Sequence, residues 1–241
     1  MRLLVTRPEP DASREAEALG RRGHEAVLAP LLTIEFCGGV PLQLDGAQGL
    51  AVTSRNALRA LAARRELGQA LKLPLFAVGE GTARQAQELG FADVTIGPGT
   101  GAELAALILG ELKPKRGPVV HLAGETLAFD LKSALESQGF TVRQPVLYRA
   151  VPAPSLPAEA LSLLKAGKLD GVILMSARTA RTLADLLARH GLVTQAKSLV
   201  CYCLSEAVAE AVAPLGFDVR VAARPREEDV LALVDSEAAS S

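Results

Sequence analysis

Residues 76–96 read FAVGEGTARQAQELGFADVTI, and residues 201–221 read CYCLSEAVAEAVAPLGFDVRV. In these stretches Gly90 falls on Gly216, Phe91 on Phe217 and Glu80 on Glu206. Each passes from an apolar, strand-like run through a helix-like segment to a second strand-like run. Each also follows a helix headed by a serine, Ser54 in LAVTSRNALRAL (50–61) and Ser176 in DGVILMSARTARTL (170–183). The recurrence is an internal duplication of a strand-helix-strand-helix unit, with a period far too long for a solenoid. In open parallel sheets the ligand sits beyond the carboxyl ends of the strands, where helix N-termini point free N–H groups outwards. The duplication therefore predicts an α/β fold of two similar domains, each a mainly parallel sheet flanked by helices, with a cleft between them.

Working outward, short apolar runs alternate with amphipathic segments along the rest of the chain, as in α/β proteins. Strand candidates lie at 3–6, 25–29, 49–53, 75–78, 93–96, 118–122, 141–147, 171–175, 198–203 and 218–221. Helical spacing is clear where Val208, Ala211, Val212 and Leu215 fall at i, i+3, i+4 and i+7, and again for Ala180, Leu183, Ala184 and Leu187. Two stretches rich in Pro or Gly break the rhythm, FCGGVPLQLDG (36–46) and YRAVPAPSLP (148–157). The block after the second stretch holds too few strands for a comfortable sheet, and the N-terminal fragment cannot stand alone. Pooling the two predicts a discontinuous domain of residues 1–36 plus 155–241, with residues 37–154 as an inserted domain with its linkers.

Composition excludes several functions. With 26 Lys+Arg against 27 Asp+Glu there is no global basic field for nucleic acid. Aromatic residues make up only 3% with no Trp, which argues against stacking platforms for bases. Cys37, Cys201 and Cys203 have no metal or redox spacing and read as reduced thiols of a cytoplasmic protein. No signal-peptide pattern follows Met1, and no apolar run is long enough to span a membrane. No GxGxxG or GxxxxGK[ST] follows a strand, so a nucleotide site ranks last.

The ordered series VTRPEP, LAVTSRNALRAL, VGEGTARQAQELG, HLAGE, VLYRAVP, DGVILMSARTA and LGF resembles the uroporphyrinogen-III synthase family from end to end. The resemblance implies two α/β domains joined by a two-stranded connector, and cyclisation of hydroxymethylbilane to uroporphyrinogen III with inversion of ring D and loss of water. It implies no metal and no organic cofactor. It also implies a monomer whose partner is its small-molecule substrate, with at most transient contact with hydroxymethylbilane synthase. The substrate is a flexible tetrapyrrole with eight carboxylates, and the uninverted ring forms without help, so catalysis is mostly positioning. A neutral phenol suits the leaving-group step, because phenols with a reference pKa of about 10 keep their O–H to donate. Tyr148 sits where the family places such a tyrosine, and it is the one catalytic candidate. Arg7, Ser54, Asn56, Gly79, Thr82, Gly124, Arg149, Ser176, Arg178 and Ser205 are the substrate-binding candidates.

A plainer reading stands beside each candidate. Tyr148 also reads as a packed strand-end aromatic, and Ser54, Ser176 and Ser205 as helix N-caps. Arg7, Arg149, Arg178 and Arg181 read either as bidentate carboxylate clamps or as solvated charges. His121 in VVHLAG reads as a buried strand histidine rather than a base. Where the family carries a Gly-Pro-Thr-Thr type turn in its last third, this chain has Ser205, Glu206, Ala207 and Val208, so one hydroxyl is missing and an acid is added. An alternative to the enzyme is a non-catalytic two-domain sensor closing on an anionic small molecule.

Overall fold

The apolar runs of this chain are nearly continuous rather than alternating, the pattern of strands covered on both faces. In the computed structural model, which describes residues 1–239, they form parallel sheets flanked by helices. The strands are β1 (Arg2–Val5), β2 (Glu25–Leu28), β3 (Leu32–Phe36), β4 (Gly49–Val52), β5 (Leu75–Ala77), β6 (Val94–Ile96), β7 (Val119–Gly124), β8 (Val142–Arg143), β9 (Val146–Pro152), β10 (Gly171–Leu174), β11 (Val200–Cys203) and β12 (Asp218–Val221). The chain divides into two compact units, Met1–Thr33 with the chain from Val151 onward, and Ile34–Ala150. Ser240 and Ser241, at the end of the expected first domain, lie outside the described residues.

The first unit contains a five-stranded sheet in the order β12-β11-β10-β1-β2, every pair parallel. Successive side chains of a strand point to opposite faces. Thus Leu3 and Val5 pack with Ile173 and Tyr202, whereas Leu4 packs with Val172, Leu174, Cys201 and Cys203. Burying one such aliphatic side chain contributes about 1.5–3 kcal/mol, more than a single capping hydrogen bond, so these two clusters rather than the caps hold the unit.

The second unit is built around a seven-stranded sheet in the order β3-β9-β7-β4-β5-β6, with β8 also pairing β7. One face carries Leu50, Val52, Leu75, Ala77, Val120 and Leu122; the other carries Ala51, Phe76 and Val119. β7 changes partner along one edge. Val119 and Val120 pair β8, then Ala123 and Gly124 pair β9 with a register shift between them. That shift sets Gly124 opposite Tyr148.

The duplicated stretches form β5, the helix Glu80–Leu89 and β6, and β11, the helix Glu206–Val212 and β12. Their shared glycines, Gly90 and Gly216, take left-handed φ values of 107° and 70° just past each helical segment. A side chain there would be strained, so glycine ends the helix in both copies. Two expectations change. The stretch at 141–147 is two strands, split at Gln144 and Pro145, and the supposedly irregular stretch from Tyr148 is strand as far as Pro152. β3 was not expected, although LTIEF is rich in β-branched and aromatic residues that favour strands.

Candidate functional site

In the Ile34–Ala150 unit, the carboxyl ends of the strands surround a cavity of about 510 Å³. After β4 come Thr53 and Ser54; after β5 comes Val78; β7 ends at Gly124; and Tyr148 projects from β9. Two further segments complete the wall, Gly99–Ala102 and Thr126–Phe129. Ser54 caps the helix Arg55–Ala62, its hydroxyl oxygen accepting from the Asn56 N–H at 3.2 Å.

Tyr148 is held by the absence of a side chain opposite. A Cβ on Gly124 would lie 2.6 Å from its Cζ and 2.7 Å from its hydroxyl oxygen, so only glycine lets the ring lie across that position. The ring also packs against the core of the unit. Among the described residues its hydroxyl has no protein hydrogen-bond partner. The ring is therefore fixed while its polar end is left free to donate.

The loop GPGTG at 97–101 is tight for similar reasons. A Cβ on Gly101 would come within 2.6 Å of the Phe129 side chain, which packs over it. Thr100 and Glu103 form a reciprocal capping box at the start of the helix Gly101–Glu111. Sequence reasoning missed this wall, although T-x-x-E before an apolar run was a legible sign of the helix start.

Behind Thr53 lies His121, fully buried on β7. Its Nδ1 is 3.0 Å from the Gln144 Oε1, and its Nε2 is 3.4 Å from the Thr53 Oγ1. Burial pushes the imidazole below its ordinary value, outweighing the hydrogen bond to Gln144 and the Asp130 carboxylate. The side chain is neutral at physiological pH.

Tyr148, Ser54 and Gly124 thus meet at one cavity; the other candidates of this unit do not line it. Gly79 is the N-cap of the helix Glu80–Leu89, and Thr82 is buried against its face. Asn56 accepts from the Arg59 guanidinium at 2.8 Å. Arg149 is paired with Glu35 at 2.6 Å on an exposed surface.

In the other unit, Ser176 caps the helix Ala177–Arg189 and bonds the Thr179 hydroxyl at 2.8 Å. Arg178 is half-buried in the first turn of that helix. Ser205 occupies the N-cap position of Glu206–Val212 without a side-chain capping bond. Glu206 is exposed at that helix start, where its charge suits the dipole, and Val208 is core.

Arg7, expected as a carboxylate clamp, is paired within its own unit. Instead of presenting a free clamp, its buried guanidinium lies 2.6 Å from Glu227, 3.5 Å from Glu15 and 3.8 Å from Asp11. Burial opposes its charge, but the three carboxylates together raise its pKa. Glu15 is pushed up to about 7, chiefly by its own burial, which outweighs the pull of Arg7. Neither Glu15 oxygen has a hydrogen-bond partner among the described residues. The cluster is internal, with three acids surrounding one cation. Its partners lie 4, 8 and 220 residues away in sequence, and the farthest could not be foreseen from the VTRPEP motif.

Among the described residues no three His, Cys, Asp or Glu side chains are grouped to hold a metal ion, and no helix is long and apolar enough to cross a membrane. The three cysteines are free thiols.

Comparison with known proteins gives a consistent picture. The structure resembles that of the uroporphyrinogen-III synthetase of Helicobacter pylori, with a TM-score of 0.65 at 19% identity over 98% of each chain. It also resembles a mutant uroporphyrinogen III synthase of Thermus thermophilus, with a TM-score of 0.60 at 20% identity over 100% of each chain. At such identities the likeness is one of fold. Residues 13–232 match the family model described as uroporphyrinogen-III synthase HemD. With nearly its whole length matched in sequence and its fold shared with solved members, the chain belongs to the uroporphyrinogen-III synthase family.

Proposed function

We propose that this chain closes hydroxymethylbilane to uroporphyrinogen III, with inversion of ring D and loss of water, and without a cofactor. The observation that carries the reading, in a chain of this family, is the Tyr148 phenol locked across Gly124 at a cavity with its hydroxyl unpartnered. Ionisation of the substrate hydroxymethyl group leaves a delocalised azafulvene cation. Tyr148 donates its proton to the departing hydroxide, the role of a general acid. The substituted carbon of ring D then attacks, giving a spiro intermediate that fragments and recloses inverted. The protein's larger task is to hold the flexible chain in the curl that makes this carbon the nearest nucleophile.

Ser54, whose oxygen caps a helix while its O–H is left to donate, is a substrate contact in this reading, as is the backbone at Gly124. Asn56, Gly79, Thr82, Arg149, Ser176, Arg178 and Ser205 complete the proposed binding set, whereas Arg7 is omitted because three carboxylates surround it. The reading includes a cytoplasmic monomer, consistent with its free thiols. Because released hydroxymethylbilane also closes to the uninverted ring unaided, a transient encounter with hydroxymethylbilane synthase would limit that loss.

The test is to supply hydroxymethylbilane, oxidise the products and separate the uroporphyrin isomers. The expected pool is dominated by type III. A pool no richer in type III than a protein-free control would overturn the reading and favour a binding module without turnover.

A further inference from the structure

Among the described residues of the unit that holds the cavity, the reaction proposed above leaves one buried titratable group, His121, unused, and its contacts define what its neighbour can do. His121 stands opposite Ala51 in the β4–β7 register, so Thr53, two residues on from Ala51, lies diagonally across on the same face. The imidazole is fully buried and neutral, with one ring nitrogen protonated. Gln144 meets Nδ1 through Oε1 at 3.0 Å, and a carbonyl oxygen only accepts, so Nδ1 carries the proton. Nε2 is left as a lone pair, 3.4 Å from the Thr53 hydroxyl. A hydroxyl has one proton to donate and two lone pairs. With its proton directed to His121, Thr53 retains acceptor capacity alone.

Thr53 and its neighbour Ser54 both line the cavity that holds Tyr148. Ser54 has the opposite arrangement. Its oxygen accepts from the Asn56 N–H, and its own O–H remains to donate. The pair presents an acceptor beside a donor. We infer that His121 is a positioning residue that fixes Thr53 as an acceptor-only hydroxyl, so that this part of the wall takes an N–H donor of the substrate, a pyrrole N–H, and rejects a carboxylate. The inference rests on the proposed function for its ligand and on the Gln144–His121–Thr53 chain for its chemistry. A carboxylate at Thr53 would leave two acceptors face to face without a proton between them, which is unfavourable in a partly desolvated site. In a substrate carrying eight carboxylates and four pyrrole nitrogens, that discrimination helps set the register of the bound chain.

Two pairs of variants test this. Thr53→Val removes the hydroxyl and Thr53→Ser retains it. His121→Asn places its amide near the position of Nδ1, abolishing the acceptor for Thr53, while His121→Gln places an amide near that of Nε2 and retains one. Thr53→Val and His121→Asn are expected to raise KM for hydroxymethylbilane by about tenfold with a smaller change in kcat, as for loss of one buried hydrogen bond. Thr53→Ser and His121→Gln are expected to recover most of that loss. Thermal unfolding of each variant controls for folding, and if His121→Asn does not fold, Thr53→Val against Thr53→Ser carries the comparison. Nitrogen NMR of the unaltered protein reads the tautomer without any assay, with Nδ1 protonated and Nε2 bare as the expected state. A proton on Nε2, or an unchanged KM in Thr53→Val, overturns the inference alone. Failure of the unaltered chain to form the type III isomer overturns the functional reading and the choice of ligand with it.

Discussion

At Tyr148 the ring position and the chemistry are set by different neighbours. Gly124 leaves the space, and the core holds the ring, but nothing within the described residues binds the hydroxyl. Tyr148→Phe should therefore keep the fold and lower kcat by about one to three orders of magnitude, the range for a lost general acid. An unchanged kcat with an unchanged urea midpoint would remove its role. Gly124→Ala should displace the ring, lowering kcat as well and destabilising the chain by about 1–3 kcal/mol as an overpacked site; activity retained in full would show that the ring tolerates displacement. The Ser54 cap was legible in the sequence because a serine heading a helix is a local pattern, whereas Tyr148 was singled out through the resemblance to the family. The fate of Arg7 and the contacts of His121 were not legible, because Glu227 and Gln144 reach them from distant parts of the chain. Glu15 adds a pH dependence whose sign follows from its folded pKa of about 7 against an ordinary 4.5. The folded state holds this proton more tightly, so the group's contribution to stability is complete below about pH 4.5 and is lost as pH rises through about 7. Between pH 5 and pH 8 the unaltered chain should lose about 2 kcal/mol more unfolding free energy than Glu15→Gln, measured by urea denaturation. Equal losses would show that Glu15 ionises as freely folded as unfolded.

Among the elements, three serine-headed helices looked alike in sequence but differ in structure. Ser54 and Ser176 accept capping hydrogen bonds from Asn56 and Thr179, whereas the Ser205 side chain makes none. Alanine at 54 or 176 should cost about 1 kcal/mol each, and alanine at 205 a few tenths at most, by chemical denaturation. Equal costs at all three would contradict the capping account. The sheets themselves were legible because strands buried on both faces are apolar throughout, as in GLAV and GVIL. β3 was harder to see. Its face alternates between buried and exposed, it sits at the edge of its sheet, and it follows closely on a strand of the other sheet. The join between β8 and β9 falls at Gln144 and Pro145, where β7 also changes partner; the proline was the local sign of the break, since it cannot donate to a ladder, but the change of partner is a long-range pairing that the sequence does not show.

For the whole molecule, each unit has its own paired clusters of core residues on both faces of its sheet. Residues 32–152 expressed alone should therefore fold and unfold cooperatively in urea, whereas residues 1–33 alone should show no cooperative transition, since β1 pairs β10 on one side. A molten 32–152 fragment would mean that this unit depends on the rest of the chain. The central place of β1 has a further consequence for biosynthesis. Leu3 must wait for Gly171, which leaves the ribosome roughly 10–30 s later at ordinary elongation rates of about 5–20 residues per second. Through that interval the apolar LLV run has only β2 beside it, while the intervening unit is completed. A nascent chain stalled or truncated before residue 171 would present a half-built sheet with an open apolar edge, the form that chaperones bind and proteases clear.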